Sequence, residues 1–348
     1  MGATGPDGRR EGRFERRYAT AAGSLRARMV RRIESGGGLT DPAWRAAFAE
    51  VPRHLFVLDD QDTGYGGEPG PGGEYGGGYD EEYGEEYGEG FAYGEGPVHG
   101  RGPVAASHRR AMSRLTGAYA DRPIATRVVG GELVSSSSQP SLMALMCEAL
   151  DVHGGERVLE IGAGTGYNAA LLAHRLGPDT VTTIDLEPEI TAAARAHLDA
   201  YGTEAARSVV VVTGDGALGH PPRAPYDRVI ATCELPFVPP AWLEQCTPGG
   251  LLLLPLATGL VALTVHGPRQ AEGRFLSTPA YFVPLRGGSG APDGAAEHGL
   301  AAEVFGQSAF GGITRPDRTR YGLTVDGPRQ WLWRDSPEGP LTWPLTTT

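Results

Sequence analysis

The chain has 348 residues, 40% of them hydrophobic, enough to bury one large core with appendages or two domains. Its net charge of −11 is local: twelve acidic residues and no basic one fall between Asp59 and Glu95, leaving the rest at about +1, with no basic stripe to attract a nucleic acid. All 31 basic residues are arginine, which excludes phosphate-loop lysines, Schiff-base lysines and ammonium general bases.

Apolar residues Phe14, Tyr18, Ala21, Ala22, Leu25, Met29 and Ile33 recur every three or four positions among arginines, which predicts an amphipathic helix. Gly36 to Gly38 end it; Thr40 or Asp41, with Pro42, starts a second helix whose inner face carries Trp44, Ala47 and Phe48. Residues 1–58 form this N-terminal helical segment. Residues 59–117 are assigned to an insertion rich in glycine, tyrosine and glutamate, with irregular echoes at Glu74-Tyr-Gly, Glu82-Tyr-Gly and Glu86-Tyr-Gly. Almost without aliphatic side chains, it cannot offset a backbone ordering cost of about 1–2 kcal/mol per residue, so disorder is expected over most of it. It reads as a tolerated surface insertion ahead of a clamp for an arginine-rich partner. From Ala118 an extended segment leads into Ser135 to Ser138, Gln139 and Pro140, then a helix from Ser141 to Leu150.

The run Val158-Leu-Glu-Ile-Gly-Ala-Gly-Thr-Gly-Tyr167 reads as a buried strand, a glycine turn and a helix start. Its glycines stand at positions one, three and five, whereas the dinucleotide fingerprint places its third glycine at position six. Glu160, before the turn, argues against a pyrophosphate and suits a cationic ligand such as the sulfonium and amino group of S-adenosylmethionine. Val181 to Asp185 is a second strand ending in an acid at the spacing of a ribose-hydroxyl partner. Ser208 to Thr213, followed by Gly214-Asp215-Gly216, is a third, its carboxylate placed for the adenine amino group; Asp227 to Thr232 is a fourth. Taken singly, a glycine turn is often only tight packing and a strand-ending acid often only a helix cap. Together they line one edge of a parallel sheet, where open sheets bind ligands. The expected cofactor set is Glu160, Gly162, Gly164, Thr165, Gly166, Asp185, Leu186, Asp215 and Gly216.

A helix from Pro188 to Tyr201 follows the second strand, and Leu251 to Pro255 with Leu260 to Val265 reads as a hairpin joined to the sheet. Tyr281 to Leu285 is expected as a last strand and Gly287 to Glu297 as a linker. Phe310, Trp331, Trp333 and Trp343 then carry enough apolar surface for a small docked lobe. The expected fold is α/β: a doubly wound, mostly parallel Rossmann-like sheet over residues 118–286, with N-terminal helices and a small C-terminal α+β extension over residues 287–348.

The chain resembles protein-L-isoaspartate O-methyltransferases through Phe48-Ala-Glu-Val-Pro-Arg-His-Leu-Phe-Val57, Ala118 to Pro123, Ser138-Gln-Pro140, Val158 to Tyr167, Gly214-Asp-Gly216 and Pro248-Gly-Gly250. That resemblance implies a class I methyltransferase fold, S-adenosylmethionine bound by Gly162, Gly164, Asp185 and Asp215, and an active-site serine at Ser138. Ser136, Ser137, Gln139 and Pro140 belong to the loop that lines the substrate's carboxylate site. Two departures stand out: the acidic insertion, and Leu133 to Ser138 in place of the family's Gly-Gln-Thr-Ile-Ser. The tetraserine run and the tryptophan-bearing extension resemble a branch associated with ribosomally synthesised, modified peptides. Its members methylate an ordinary aspartate, whose ester loses methanol to give an aspartimide and then isoaspartate. On that likeness peptide tailoring ranks above repair of isoaspartate in damaged proteins, with Tyr321 to Val325 and Gln330 to Trp333 helping to recognise the peptide. A binding module that kept the fold and lost activity ranks last, since Glu160, Asp185, Asp215 and Ser138 are intact.

A carboxylate attacking a sulfonium methyl is already anionic, so alignment matters more than a strong base. Ser138 suits that task by donating one hydrogen bond, helix capping being its bland alternative. No Gly-x-Ser-x-Gly elbow surrounds it, which disfavours acyl-enzyme chemistry. Arg122 and Arg127 either draw the substrate's charge or are solvated surface. The expected partner is a peptide or protein bearing aspartate or isoaspartate. Three scattered cysteines and nine histidines without His-Glu-x-x-His spacing lead us to expect no metal. Lacking an eighteen-residue apolar run or an apolar signal core, the chain is expected to avoid membranes and to be cytoplasmic.

Overall fold

A computed structural model describes residues 6–58, 103–287 and 317–345. The first helix, α1 (Pro6–Ser35), buries Tyr18, Ala22, Leu25, Met29 and Ile33 on one face, the three- and four-residue spacing seen in the sequence. Asp41 caps α2 (Pro42–Glu50) by accepting the Ala43 amide at 2.7 Å, and Trp44, Ala47 and Phe48 form its inner face. A short α3 (His54–Val57) follows. The bulk of the acidic insertion, residues 59–102, lies outside the described residues. Its assigned C-terminal part is corrected: Pro103–Ala118 is a helix, α4, which buries Leu115 and Ala118 in the main core.

Next comes a separate antiparallel ribbon of β1 (Ile124–Val129) and β2 (Glu132–Ser137), so the extended serine segment is half of a hairpin. After α5 (Pro140–Ala149) the alternating core begins: β3 (Val158–Ile161), α6 (Tyr167–Leu176), β4 (Val181–Asp185), α7 (Pro188–Tyr201), α8 (Glu204–Ser208), β5 (Val210–Thr213), β6 (Tyr226–Ala231) and α9 (Pro240–Glu244). β7 (Cys246–Leu256) and β8 (Gly259–Gly267) make the expected hairpin, turning through Ala257 and Thr258 at φ 47° and 60°. β9 (Gln270–Pro279) was not expected, and Tyr281 to Leu285 is not a strand. Instead that segment is a strap joined to Glu234 by two hydrogen bonds, Glu234 N–H to the Val283 carbonyl at 2.8 Å and Leu285 N–H to the Glu234 carbonyl at 2.9 Å.

The main sheet runs β12-β11-β10-β9-β8-β7-β6-β3-β4-β5, where β10 is Tyr321–Asp326, β11 is Arg329–Arg334 and β12 is Thr342–Leu345. From β5 to β7 the pairing is parallel, and from β7 to β12 antiparallel. The expected lobe is therefore, in its described part, three strands that lengthen the sheet. Gln330 fixes β11 by accepting the Val238 amide at 2.8 Å and donating to the Val238 carbonyl at 2.7 Å. Two hydrophobic clusters cover the two faces, one holding α1, α2, α5 and α6, the other α9 and the inner face of the antiparallel half. Strand order reverses between β3 and β6, which opens a crevice at the carboxyl ends of the parallel strands.

Candidate active site

That crevice is an open cleft. Ser136, Ser137, Ser138, Glu160, Gly162, Gly164, Thr165, Asp185, Leu186 and Gly216 all line it. The remaining candidates are not among its lining residues. Gly166 starts α6 at φ 81°, Pro140 is buried at the start of α5, and Gln139 donates to Ser141 Oγ at 2.9 Å. Asp215 is likewise not among them: its carboxylate accepts the Ala217 amide at 2.9 Å, and Gly287 packs against it.

The turn after β3 sets the floor. Gly162 sits at φ 96°, and a β-carbon there would fall 2.5 Å from Thr232 Oγ1. Gly164, at φ 51°, passes beneath the Ser136 carbonyl and donates its amide to Asp185 Oδ2 at 3.1 Å. Asp185 Oδ1 accepts from the Leu186 amide at 2.9 Å. Burial raises the Asp185 pKa, and these backbone donors and Arg286 oppose the rise.

Glu160 is fully buried. Its Oε1 accepts from Asn168 Nδ2 at 2.7 Å, and Asn168 in turn accepts from Cys147 Sγ at 3.6 Å. Oε2 makes no well-formed hydrogen bond; the Thr183 hydroxyl, itself without a well-formed one, is near enough to favour the charged form. Burial pushes this carboxyl up to about 7, although Thr183 and Asn168 pull the other way. A buried carboxylate oxygen without a well-formed hydrogen bond, lining a cleft, is a strong attractor for a cationic donor.

Strand alternation sorts the four serines into two pairs. Ser135 and Ser137 point inward, their hydroxyls accepting from Thr126 Oγ1 at 3.0 Å and Arg53 Nη2 at 3.3 Å. Ser136 and Ser138 are half-exposed in the cleft, and their hydroxyls have no hydrogen-bond partner among the described residues. On the rim, Arg286 pairs with Glu187 and lies 4.0 Å from Asp185. Arg127 Nε contacts Glu187 at 3.1 Å, while Arg122 is exposed. Arg127 therefore serves the rim's ion cluster.

Sequence reasoning missed Asn168, Thr232, Arg286 and the strap residues Val283 to Leu285, all of which line the cleft. It also assigned no role to Arg53, although that residue lies inside the quoted family segment. The available signal was an arginine in an apolar run, Val51-Pro-Arg-His-Leu-Phe-Val57. Among the described residues no cluster of metal-ligating side chains occurs, and no helix is long and apolar enough to cross a membrane.

The parallel sheet, the glycine turn and the acids at the strand ends define a class I, S-adenosylmethionine-dependent methyltransferase. Residues 110–289 match the model of the protein-L-isoaspartate(D-aspartate) O-methyltransferase family. A protein-L-isoaspartate O-methyltransferase of Methanoregula boonei is 35% identical over 266 residues, covering 75% of this chain and 93% of the relative. One from an Anaeromyxobacter species is 46% identical over 158 residues, covering 44% and 72%. A solved protein-L-isoaspartate O-methyltransferase superposes with a TM-score of 0.55 at 21% identity, covering 90% of this chain and 89% of that one. The chain belongs to the protein-L-isoaspartate(D-aspartate) O-methyltransferase family.

The residues present fit the cofactor. Glu160 Oε2 awaits a donor, the turn at Gly162 has no room for a side chain, and Asp185 stands at the rim at ribose-partner spacing.

Proposed function

We propose that the protein transfers a methyl group from S-adenosylmethionine to the free carboxylate of L-isoaspartyl residues in proteins or peptides. The observation that carries this reading is that Ser138, whose hydroxyl has no hydrogen-bond partner among the described residues, lines the same cleft as the Gly162 to Gly164 turn. When bound, the cofactor supplies an electrophilic methyl carbon on a sulfonium. Glu160 and Asp185 hold its polar groups and Gly162 to Gly164 let it approach the backbone. Ser138 donates a hydrogen bond to one carboxylate oxygen and so leaves the other aimed at the methyl. No proton has to be removed, because the nucleophile is already ionised. Holding the two reactants at near-attack distance lowers the barrier by up to about 7–11 kcal/mol in well-oriented systems.

A second reading is tailoring of a ribosomally synthesised, modified peptide. There an ordinary aspartate is methylated, and the neighbouring amide nitrogen attacks the ester carbonyl, giving up its proton as methanol departs and aspartimide forms. The serine ribbon favours it, since β2 departs from the family loop where the carboxylate sits. Among the described residues, none of those lining the cleft lies beyond Arg286, so the described part of the extension adds no support. The relatives, all carrying the isoaspartyl name, move the repair-type substrate ahead of the tailoring one that the sequence alone favoured.

The test offers the enzyme and donor a synthetic isoaspartyl peptide and, separately, a macrocyclic aspartyl peptide, with products read by mass. Methyl gain on the isoaspartyl peptide alone is expected. Exclusive turnover of the macrocycle, with loss of water, transfers the conclusion to the second reading.

A further inference from the structure

Arg53 is 0% exposed, yet no carboxylate pairs with it among the described residues. Its donors go to neutral groups: the carbonyls of Ala118 at 2.7 Å, Ala120 at 3.4 Å and Ser138 at 3.0 Å, and Ser137 Oγ at 3.3 Å. Nε has no hydrogen-bond partner. The guanidinium lies 5.9 Å from the Tyr167 ring centroid. Burial lowers its pKa, but a guanidinium stays charged throughout the physiological range.

An uncompensated buried cation is costly to the fold and needs a reason. Asp121 favours the cation electrostatically but forms no ion pair with it. Asp121 is committed to the Ser141 amide at 2.9 Å and lies 4.0 Å from Arg32. Tyr119 is pushed up to about 12, by burial first, and shares a 2.6 Å hydrogen bond with His54, which burial and Arg26 pull down to about 4, so both are neutral near pH 7. Burial likewise raises Tyr167, which stays protonated.

Resting on the reading of Ser138 as the hydroxyl that meets the substrate carboxylate, we propose that Arg53 is a positioning residue for that reaction. It clamps Ser137, the last residue of β2, and the Ser138 carbonyl to the end of α4 and the chain after it, and it places a positive charge behind the Ser138 hydroxyl. The counter-ion it lacks is the substrate's carboxylate, kept ionised and oriented from the far side of Ser138. Across the cleft stand Glu160, Asp185 and Arg286, the last already paired with Glu187.

The experiment measures methylation of a short synthetic isoaspartyl peptide against pH at saturating donor, for the wild type, Arg53→Met and Arg53→Lys. For Arg53→Met we expect a peptide KM raised about tenfold and the acid limb of kcat/KM moved up by about one pH unit, with donor affinity unchanged, because an opposite charge lowers a carboxylate's pKa. Arg53→Lys restores the acid limb while keeping a raised KM, since an ammonium lacks the planar fork. A folded Arg53→Met with the wild-type acid limb overturns the inference whatever its KM. Should Arg53→Met not fold, Arg53→Lys decides: an unchanged KM overturns it. A wild type inactive on the peptide instead defeats the functional reading, independently of Arg53.

Discussion

The two halves of the sheet are built to different ends. In the antiparallel half, Leu254, Val261, Leu263, Leu323 and Leu332 are at most 1% exposed, and the buried amide of Gln330 has both its oxygen and its nitrogen bonded. In the parallel half, Glu160 leaves one oxygen without a well-formed hydrogen bond, Gly162 holds a left-handed turn, and Tyr167 buries a hydroxyl without a partner. The parallel half keeps unsatisfied groups at the cleft, where a ligand completes them; Arg334 Nε in the antiparallel half also has no hydrogen-bond partner but does not line the cleft. Substitutions in the two halves should therefore separate stability from activity.

The largest loss of turnover is expected from Gly162→Ala, whose β-carbon meets Thr232 Oγ1 in a backbone conformation that disfavours side chains. Calorimetry should show donor affinity reduced at least about 100-fold, with about 3 kcal/mol of stability lost. Retention of tight binding would show that the turn has slack.

A smaller effect is expected from Glu160→Gln, about tenfold in donor affinity, with an opposite sign in stability. Burial raises the wild-type carboxyl to about 7. Its contribution to the fold is fully present below the unfolded value of about 4.3 and is lost as pH rises through about 7. Above that point the ligand-free Gln variant should melt at a higher temperature than wild type. Wild-type affinity for the cationic donor should rise with pH through the same region, and the variant's should not. Equal melting curves at high pH would contradict the assigned burial cost.

Turnover should change least for Leu323→Ala, in the centre of β10. The fold should lose about 2–5 kcal/mol by denaturant titration, while donor affinity and peptide KM stay at wild-type values at temperatures where the variant is folded. A raised KM here would tie the antiparallel half to the substrate and revive the extension as a recognition element.

The same contrast governs what the sequence made legible. β3 and β4 read directly as short β-prone runs, buried on both faces and followed by glycine or ended by an acid, and β6 through its buried Val229 to Ala231. β9 escaped because Gln270 to Pro279 alternates weakly and contains Glu272, Gly273 and Arg274; its pairing with β8 and β10 supplies what propensity does not. The C-terminal strands were seen as an apolar lobe and not as part of the sheet, since β10 pairs with β9 across a long stretch of sequence. The serine ribbon was hidden for a related reason: serine has little strand preference, and β1 holds β2 in place. Ser138, Glu160, Gly162 and Asp185, singled out in the sequence, line one cleft, whereas Arg286, which also lines it, and Arg53, bonded to the Ser138 carbonyl, come from distant segments with no local pattern to announce them.

The most direct measurement is single-turnover methylation of an isoaspartyl peptide at saturating S-adenosylmethionine, comparing the wild type with Ser138→Ala. A methyl ester on the peptide carboxyl, formed about 100-fold more slowly by the variant at unchanged donor affinity, is the predicted result. Ester formation at the wild-type rate by Ser138→Ala would contradict the account.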